Sequence, residues 1–179
     1  MVFTKGKIIW LTGMSGTGKS FYSKYLVNKF KELNKRTKVL DGDDIRNNYD
    51  APLGFSKEDI SKNNLFIANI CKKEYQKYDI TIVSVISPYE AIRNTIKDLF
   101  GENIYFIYVK ADIKSLKYRD TKKLYHKADN NEIRDLIGYS KISKYEEPLN
   151  PDITLNTSSL NKPEQNYKIL NNFIKKYIC

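Results

Sequence analysis

The chain has 179 residues, 41% of them hydrophobic and 13% aromatic, enough for one domain with a sizeable core and too few for two. Lys and Arg outnumber Asp and Glu by 31 to 21, a net charge of +10 that suits either anionic partners or a generally basic surface. The cysteines Cys71 and Cys179 lie far apart and His126 is the lone histidine, which excludes a disulfide framework and a His-based metal site.

The segment Met1–Lys7 is too short and too charged for a signal peptide. No apolar run approaches the ~20 residues of a membrane span, so a cytoplasmic protein without a membrane partner is expected. Ile8–Leu11 reads as a buried first strand, and from Lys19 a helical period places Tyr22, Leu26, Phe30 and Leu33 on one face. Thr37–Leu40 reads as a second strand ending on Asp41-Gly42-Asp43-Asp44. A helix over Ser56–Tyr78 would turn Ile67, Ile70, Cys71 and Tyr78 inward. Ile80–Ile86 is a third strand, Tyr89–Phe100 a helix and Ile104–Val109 a fourth strand. Lys114–Lys144 is helical in propensity but strongly charged. Ile153–Leu155 is a last strand, and Pro163 opens a terminal helix carrying Tyr167, Leu170, Ile174 and Tyr177. Strands alternating with helices predict a single α/β domain with a central parallel sheet.

Gly13-Met14-Ser15-Gly16-Thr17-Gly18-Lys19-Ser20 matches G-x-x-x-x-G-K-[ST], with a strand leading in and a helix leading out. In such a loop the backbone N–H groups and the helix N-terminus cradle phosphates. Lys19 would bridge the β- and γ-phosphates of ATP, and the Ser20 hydroxyl would bind Mg²⁺. No Asn-Lys-x-Asp guanine-reading motif is present, and the third strand lacks the terminal Asp of hydrolytic P-loop enzymes. The carboxylates follow strand two instead. Asp43 is placed to take a proton from an attacking hydroxyl or to hold hydrated Mg²⁺, while Asp44 suits a helix cap. No helix-turn-helix or interleaved aromatic–basic motif points to nucleic acid.

At this point the chain resembles the adenylylsulfate kinases, which transfer phosphate from ATP to the 3′-hydroxyl of adenylyl sulfate. The resemblance is carried by Ile9–Gly16, Leu40-Asp41-Gly42-Asp43-Asp44-Ile45-Arg46, Leu53-Gly54-Phe55-Ser56 with Asp59 and Asn63, and Ile86-Ser87-Pro88-Tyr89 with Arg93. Arg119-Asp120, Lys122, Leu124-Tyr125 and Lys127-Ala128 complete it. It implies a P-loop NTPase kinase fold over the whole chain, with a helical lid at about residues 114–147, and a homodimer. It also implies that Asp43 is the base or the Mg²⁺-organising carboxylate and that Arg46 meets the acceptor's anionic group. Phe55 would stack on the acceptor's base, Asn63 would hydrogen-bond it, and Ile86 and Ser87 would line its site. Arg119, Lys122, Lys123 and Lys127 would close over the phosphates.

Departures fall on the acceptor side. Ile60 stands where the family has Arg, Leu136 where it has a second clamping Phe, Leu65-Phe66 where it has Arg-Arg, and Lys123 where it has Gly. A lost charge-assisted hydrogen bond costs ~1.5–3 kcal/mol and a lost stacking partner ~1–3 kcal/mol. A smaller base against Ile60 and Leu136 is therefore expected, as in the related cytidine diphosphoramidate kinases of capsule biosynthesis. Adenylyl sulfate is the alternative acceptor.

Overall fold

A computed structural model describes residues 6–47, 54, 56–159 and 161–178. Five strands, β1 (Lys7–Thr12), β2 (Thr37–Asp41), β3 (Ile80–Ser84), β4 (Ile104–Lys110) and β5 (Ile153–Asn156), form one sheet in the order β2-β3-β1-β4-β5. Every pairing is parallel. The helices are α1 (Lys19–Glu32), α2 (Gly42–Asn47), α3 (Lys57–Glu74), α4 (Glu90–Phe100), α5 (Ile113–Arg119), α6 (Leu124–Asp129) and α7 (Pro163–Tyr177).

A central strand covered on both faces reads as a continuous apolar run rather than an alternating one, and Ile8–Leu11 of β1 is such a run. Ile8 and Trp10 face one core with Ile67 and Cys71 of α3 and Ile96 of α4. Ile9 and Leu11 face the other, with Leu26 and Phe30 of α1 and Leu170 and Phe173 of α7. Ile8, Ile9, Trp10 and Leu11 are all fully buried. Sandwiching β1 fixes where its C-terminal end, and hence the phosphate loop, emerges.

Several boundaries differ from the sequence expectation. Leu33 lies one residue past α1 and is exposed, because the helix closes through Leu33 N–H to Lys29 O (3.2 Å). α3 ends at Glu74, so Tyr78 falls outside it. Tyr75 takes the inward place, edge-on to Phe100 with centroids 5.5 Å apart. β3 stops at Ser84, since Ile86 O turns to accept from the Thr12 hydroxyl and the Gly13 N–H.

The segment Lys114–Lys144 is not one helix. Asp120 ends α5 and starts α6, accepting the N–H groups of Tyr125 (3.2 Å) and His126 (2.9 Å). Beyond Asp129 the chain runs in turns. One closes with Gly138 N–H donating to Ser143 O at 2.6 Å, and Gly138 sits at φ 80° where a Cβ would meet the Met14 side chain at 2.7 Å.

Lys123 precedes α6 at φ 54°, ψ 25°, the left-handed region that glycine adopts at little cost. Lys123→Gly is expected to stabilise the fold by about 1 kcal/mol, read as a raised denaturant midpoint with unchanged slope. Among the described residues no helix is long and apolar enough to cross a membrane.

Candidate active site

The C-terminal ends of β1, β2 and β3 open onto a cleft of about 630 Å³, in the size range of small-molecule sites. Its floor is the loop between β1 and α1. Gly13, Gly16 and Gly18 take φ values of 153°, 77° and 95°, which turn the loop back on itself. A side chain at Gly13 would collide with the Val109 carbonyl. Met14 packs behind the loop among Leu116, Tyr125 and Leu136. The buried Tyr125 hydroxyl donates to Ser15 O at 2.8 Å, tying α6 to the loop.

Lys19 Nζ donates to Gly13 O and Met14 O, both at 2.9 Å. Burial lowers its pKa from 10.5 to about 8, against the raising effect of Asp43 and, more weakly, Asp41; Lys122 lowers it further. The ammonium is held desolvated beside a phosphate cradle, and anionic oxygens there restore its charge. Because the folded pKa lies below the unfolded one, charged Lys19 costs the fold stability below pH 8, and that cost fades as the pH rises to 10.5. Nucleotide phosphate raises the pKa again, so binding takes up a proton. Above about pH 8, ADP affinity is expected to fall by up to about tenfold per pH unit, a slope that Lys19→Met loses in calorimetric titration.

Beside the loop, Ser20 Oγ lies 3.3 Å from Asp41 Oδ2, and Asp41 Oδ1 accepts the Asp43 N–H at 3.0 Å. The carboxylate hydrogen-bonded to Ser20 is thus Asp41, whereas the sequence reading gave the Mg²⁺-organising role to Asp43. Asp41 is the last residue of β2, whereas Asp43 is in the first turn of α2 and pairs with Lys122. A hydroxyl and two nearby carboxylates are hard oxygen donors of the kind that hold Mg²⁺ together with its waters. Arg46 lines the same stretch and donates to Gly54 O at 2.6 Å.

One end of the cleft is bounded by Phe21, Arg119, Thr157, Asn161, Pro163 and Asn166. Arg119 reaches Thr157 Oγ1 (3.4 Å), whose hydroxyl donates to Thr17 O (2.9 Å). The other end is formed by Ile60, Asn63, Val85, Ile86 and Ile137. Ile60 and Ile137 are buried in one cluster with Tyr89, against which Ile86 packs. Asn63 is 5% exposed, and its Oδ1 has no hydrogen-bond partner. A buried amide oxygen without a donor costs about 1–3 kcal/mol.

Other expected site residues sit elsewhere. Leu136 packs on Leu116 and Tyr125 and does not line the cleft; its neighbour Ile137 does. Ser87, fully buried at φ 45°, turns its hydroxyl into the core between Trp10 and Asn64 and does not line the cleft either. Of the expected lid cations, Lys122 and Arg119 border the cleft, whereas Lys123 and Lys127 are exposed and do not. Phe55 and Leu53 lie outside the described residues.

Asp41, Ile137 and the Thr157–Pro163 wall were not singled out from the sequence. Only Asp41 carried a signal, as the last residue of a strand whose end faces the crevice.

Residues 5–156 match the family model for adenylylsulphate kinase. The adenylyl-sulfate kinase of Clostridium kluyveri is 37% identical over 153 residues, covering 86% of this chain and 76% of that protein. That of Gloeothece citriformis is 37% identical over 166 residues, 93% of each. Among solved structures, the Mycobacterium tuberculosis APS kinase in complex with AMPPNP and APS superposes with a TM-score of 0.83 at 26% identity, over 96% of this chain and 99% of that one. The chain is a nucleotide kinase, a phosphotransferase with an alcohol acceptor, and belongs to the adenylylsulphate kinase family.

Proposed function

We propose that the protein transfers the γ-phosphoryl group of Mg-ATP to the 3′-hydroxyl of adenylyl sulfate, making 3′-phosphoadenylyl sulfate. The observation that carries this reading is one continuous cleft joining the Lys19–Ser20 loop, through Asp43 and Arg46, to the buried Asn63 amide. The curated relatives named adenylyl-sulfate kinase support the choice of acceptor.

ATP lies with its phosphates in the loop and its base toward Thr157 and Pro163. The acceptor enters at the Ile60–Ile137 end and donates a hydrogen bond to Asn63 Oδ1. Asp43 takes the proton of the attacking hydroxyl as it swings off Lys122, and Arg46 meets the acceptor's anionic group. Lys19 stabilises charge on the transferring group, and Ser20 with Asp41 would hold Mg²⁺. When bound, Mg²⁺ neutralises the developing phosphate charge. Two copies associate as a cytoplasmic homodimer.

A second acceptor, cytidine diphosphoramidate, is favoured by one observation. Ile60, standing where the family has Arg, is 4% exposed and packs with Ile137 in an apolar wall. Loss of a charge-assisted hydrogen bond there would cost adenylyl sulfate ~1.5–3 kcal/mol. Initial rates on adenylyl sulfate, cytidine diphosphoramidate and unmodified nucleotides decide between them. The expected result is the highest kcat/KM on adenylyl sulfate. A preference for the cytidine compound of tenfold or more, about 1.4 kcal/mol, would establish the second reading instead.

A further inference from the structure

Behind the acceptor end runs a buried chain of hydrogen bonds that links β1 to α3. Trp10 Nε1–H, from the fully buried indole of β1, donates to Ser87 Oγ at 2.8 Å. Ser87 Oγ–H in turn donates to Asn64 Oδ1 on α3. Asn64 Nδ2 donates to Ile60 O at 2.8 Å, one turn back along the same helix. Ser87, Trp10 and Asn64 are each no more than 2% exposed.

Two features show that the fold maintains this chain at a cost. Ser87 holds φ at 45°, a conformation that costs a non-glycine residue free energy and that turns its hydroxyl inward. Its carbonyl is also clamped, accepting from Arg93 Nη1 at 2.6 Å, while Arg93 is itself buried and paired with Glu90. Asn64 thus has both ends of its amide engaged within the protein. Its neighbour Asn63 has an orphan oxygen at the cleft, and Ile60 is the residue whose carbonyl Asn64 grips.

We propose that the Trp10–Ser87–Asn64 chain is a positioning device that fixes the rotation of α3 on the sheet, so that Ile60 and Asn63 present the acceptor-recognition surface. Ser87 and Asn64 are positioning residues and touch no reacting atom. A helix cannot turn about its axis without exchanging which residues face the cleft, because neighbouring positions differ by about 100°. The sheet-anchored hydroxyl therefore sets acceptor affinity while leaving the donor end, built on α1 and the loop before α7, unaffected. The inference rests on the proposed acceptor end of the cleft.

The test uses Ser87→Gly, which removes the hydroxyl and relieves the positive φ, together with Asn64→Leu and the double variant. Each single variant is expected to raise the acceptor KM roughly tenfold or more with ATP KM within about twofold, because small displacements of a positioning surface are costly. The double variant is expected to be no worse than the worse single, since both act through one chain.

Trp10 is the sole tryptophan. Its emission moves to shorter wavelength in Ser87→Gly, which loses the indole hydrogen bond, and stays in place in Asn64→Leu. Amide exchange across residues 57–67 accelerates in both variants while α1 is unchanged. Equal rises in both KM values, additive losses in the double variant, or unchanged exchange in α3 would overturn the proposal. If the wild-type protein phosphorylates no nucleotide acceptor, the function reading fails on its own, and the exchange comparison still decides the positioning role.

Discussion

Lys19→Met is expected to lower kcat by roughly 10²–10³-fold or more while the fold is kept, the loss that follows removal of one preorganised charge at a transition state. Lys19 is half-buried, and its ammonium is already seated on the two loop carbonyls beside which phosphate oxygens would arrive. Little reorganisation is then needed when charge develops on the transferring group. Because an uncharged Met removes a desolvated cation, stability is expected to rise slightly even as turnover collapses. Single-turnover kinetics with thermal melts separate the two effects. A variant retaining more than a tenth of wild-type kcat would contradict the placement of the phosphates.

The second large effect divides two carboxylates that stand two residues apart. Asp43→Asn is expected to lower kcat by about 10²–10⁴-fold with little change in the Mg²⁺ requirement, as for loss of a general base. Asp41→Asn is expected instead to raise the Mg²⁺ concentration for half-maximal rate, because Asp41 Oδ2 is the carboxylate oxygen beside Ser20. Asp41 Oδ1 also holds the Asp43 N–H, so some loss of kcat accompanies it. Mg²⁺ titrations of both variants check the split; interchanged behaviour would reassign the roles. Lys122→Ala, by freeing Asp43 of its ion pair, supplies a control for whether that contact competes with the acceptor hydroxyl.

The positions of the strands along the chain and the phosphate loop were legible in the sequence, because buried parallel strands and a glycine-bearing loop leave local signatures; the order β2-β3-β1-β4-β5 was not. Resemblance placed Asp43, Arg46, Ile60, Asn63 and Arg119, and all five line the cleft. What could not be read depends on side-chain direction where no period operates. Between Asp129 and Tyr145 the chain is neither helix nor strand, so nothing in the spacing distinguished Leu136 from Ile137. The two face different clusters. Ser87 was assigned to the cleft by its place in a motif, yet its positive φ sends the hydroxyl toward Trp10, a contact spanning 77 positions that no local pattern encodes. Lys123 precedes α6 and Lys127 lies within it, both with the same charge as Lys122, yet of the three only Lys122 meets the cleft, a difference that charge pattern does not encode.

The apolar end of the cleft bears most directly on what the protein is for. Ile60, Ile86 and Ile137 give that end an apolar wall with one buried amide, Asn63, and in the proposed reading fit against that wall joins the contact of Arg46 with the acceptor's anionic group. Identification of the product by ³¹P NMR, after incubating the protein with Mg-ATP and adenylyl sulfate, addresses this most directly. A new 3′-phosphomonoester resonance appearing in step with ADP is the expected result. ADP formation with no phosphorylated nucleotide, or phosphate found at any position other than a sugar hydroxyl, would contradict it.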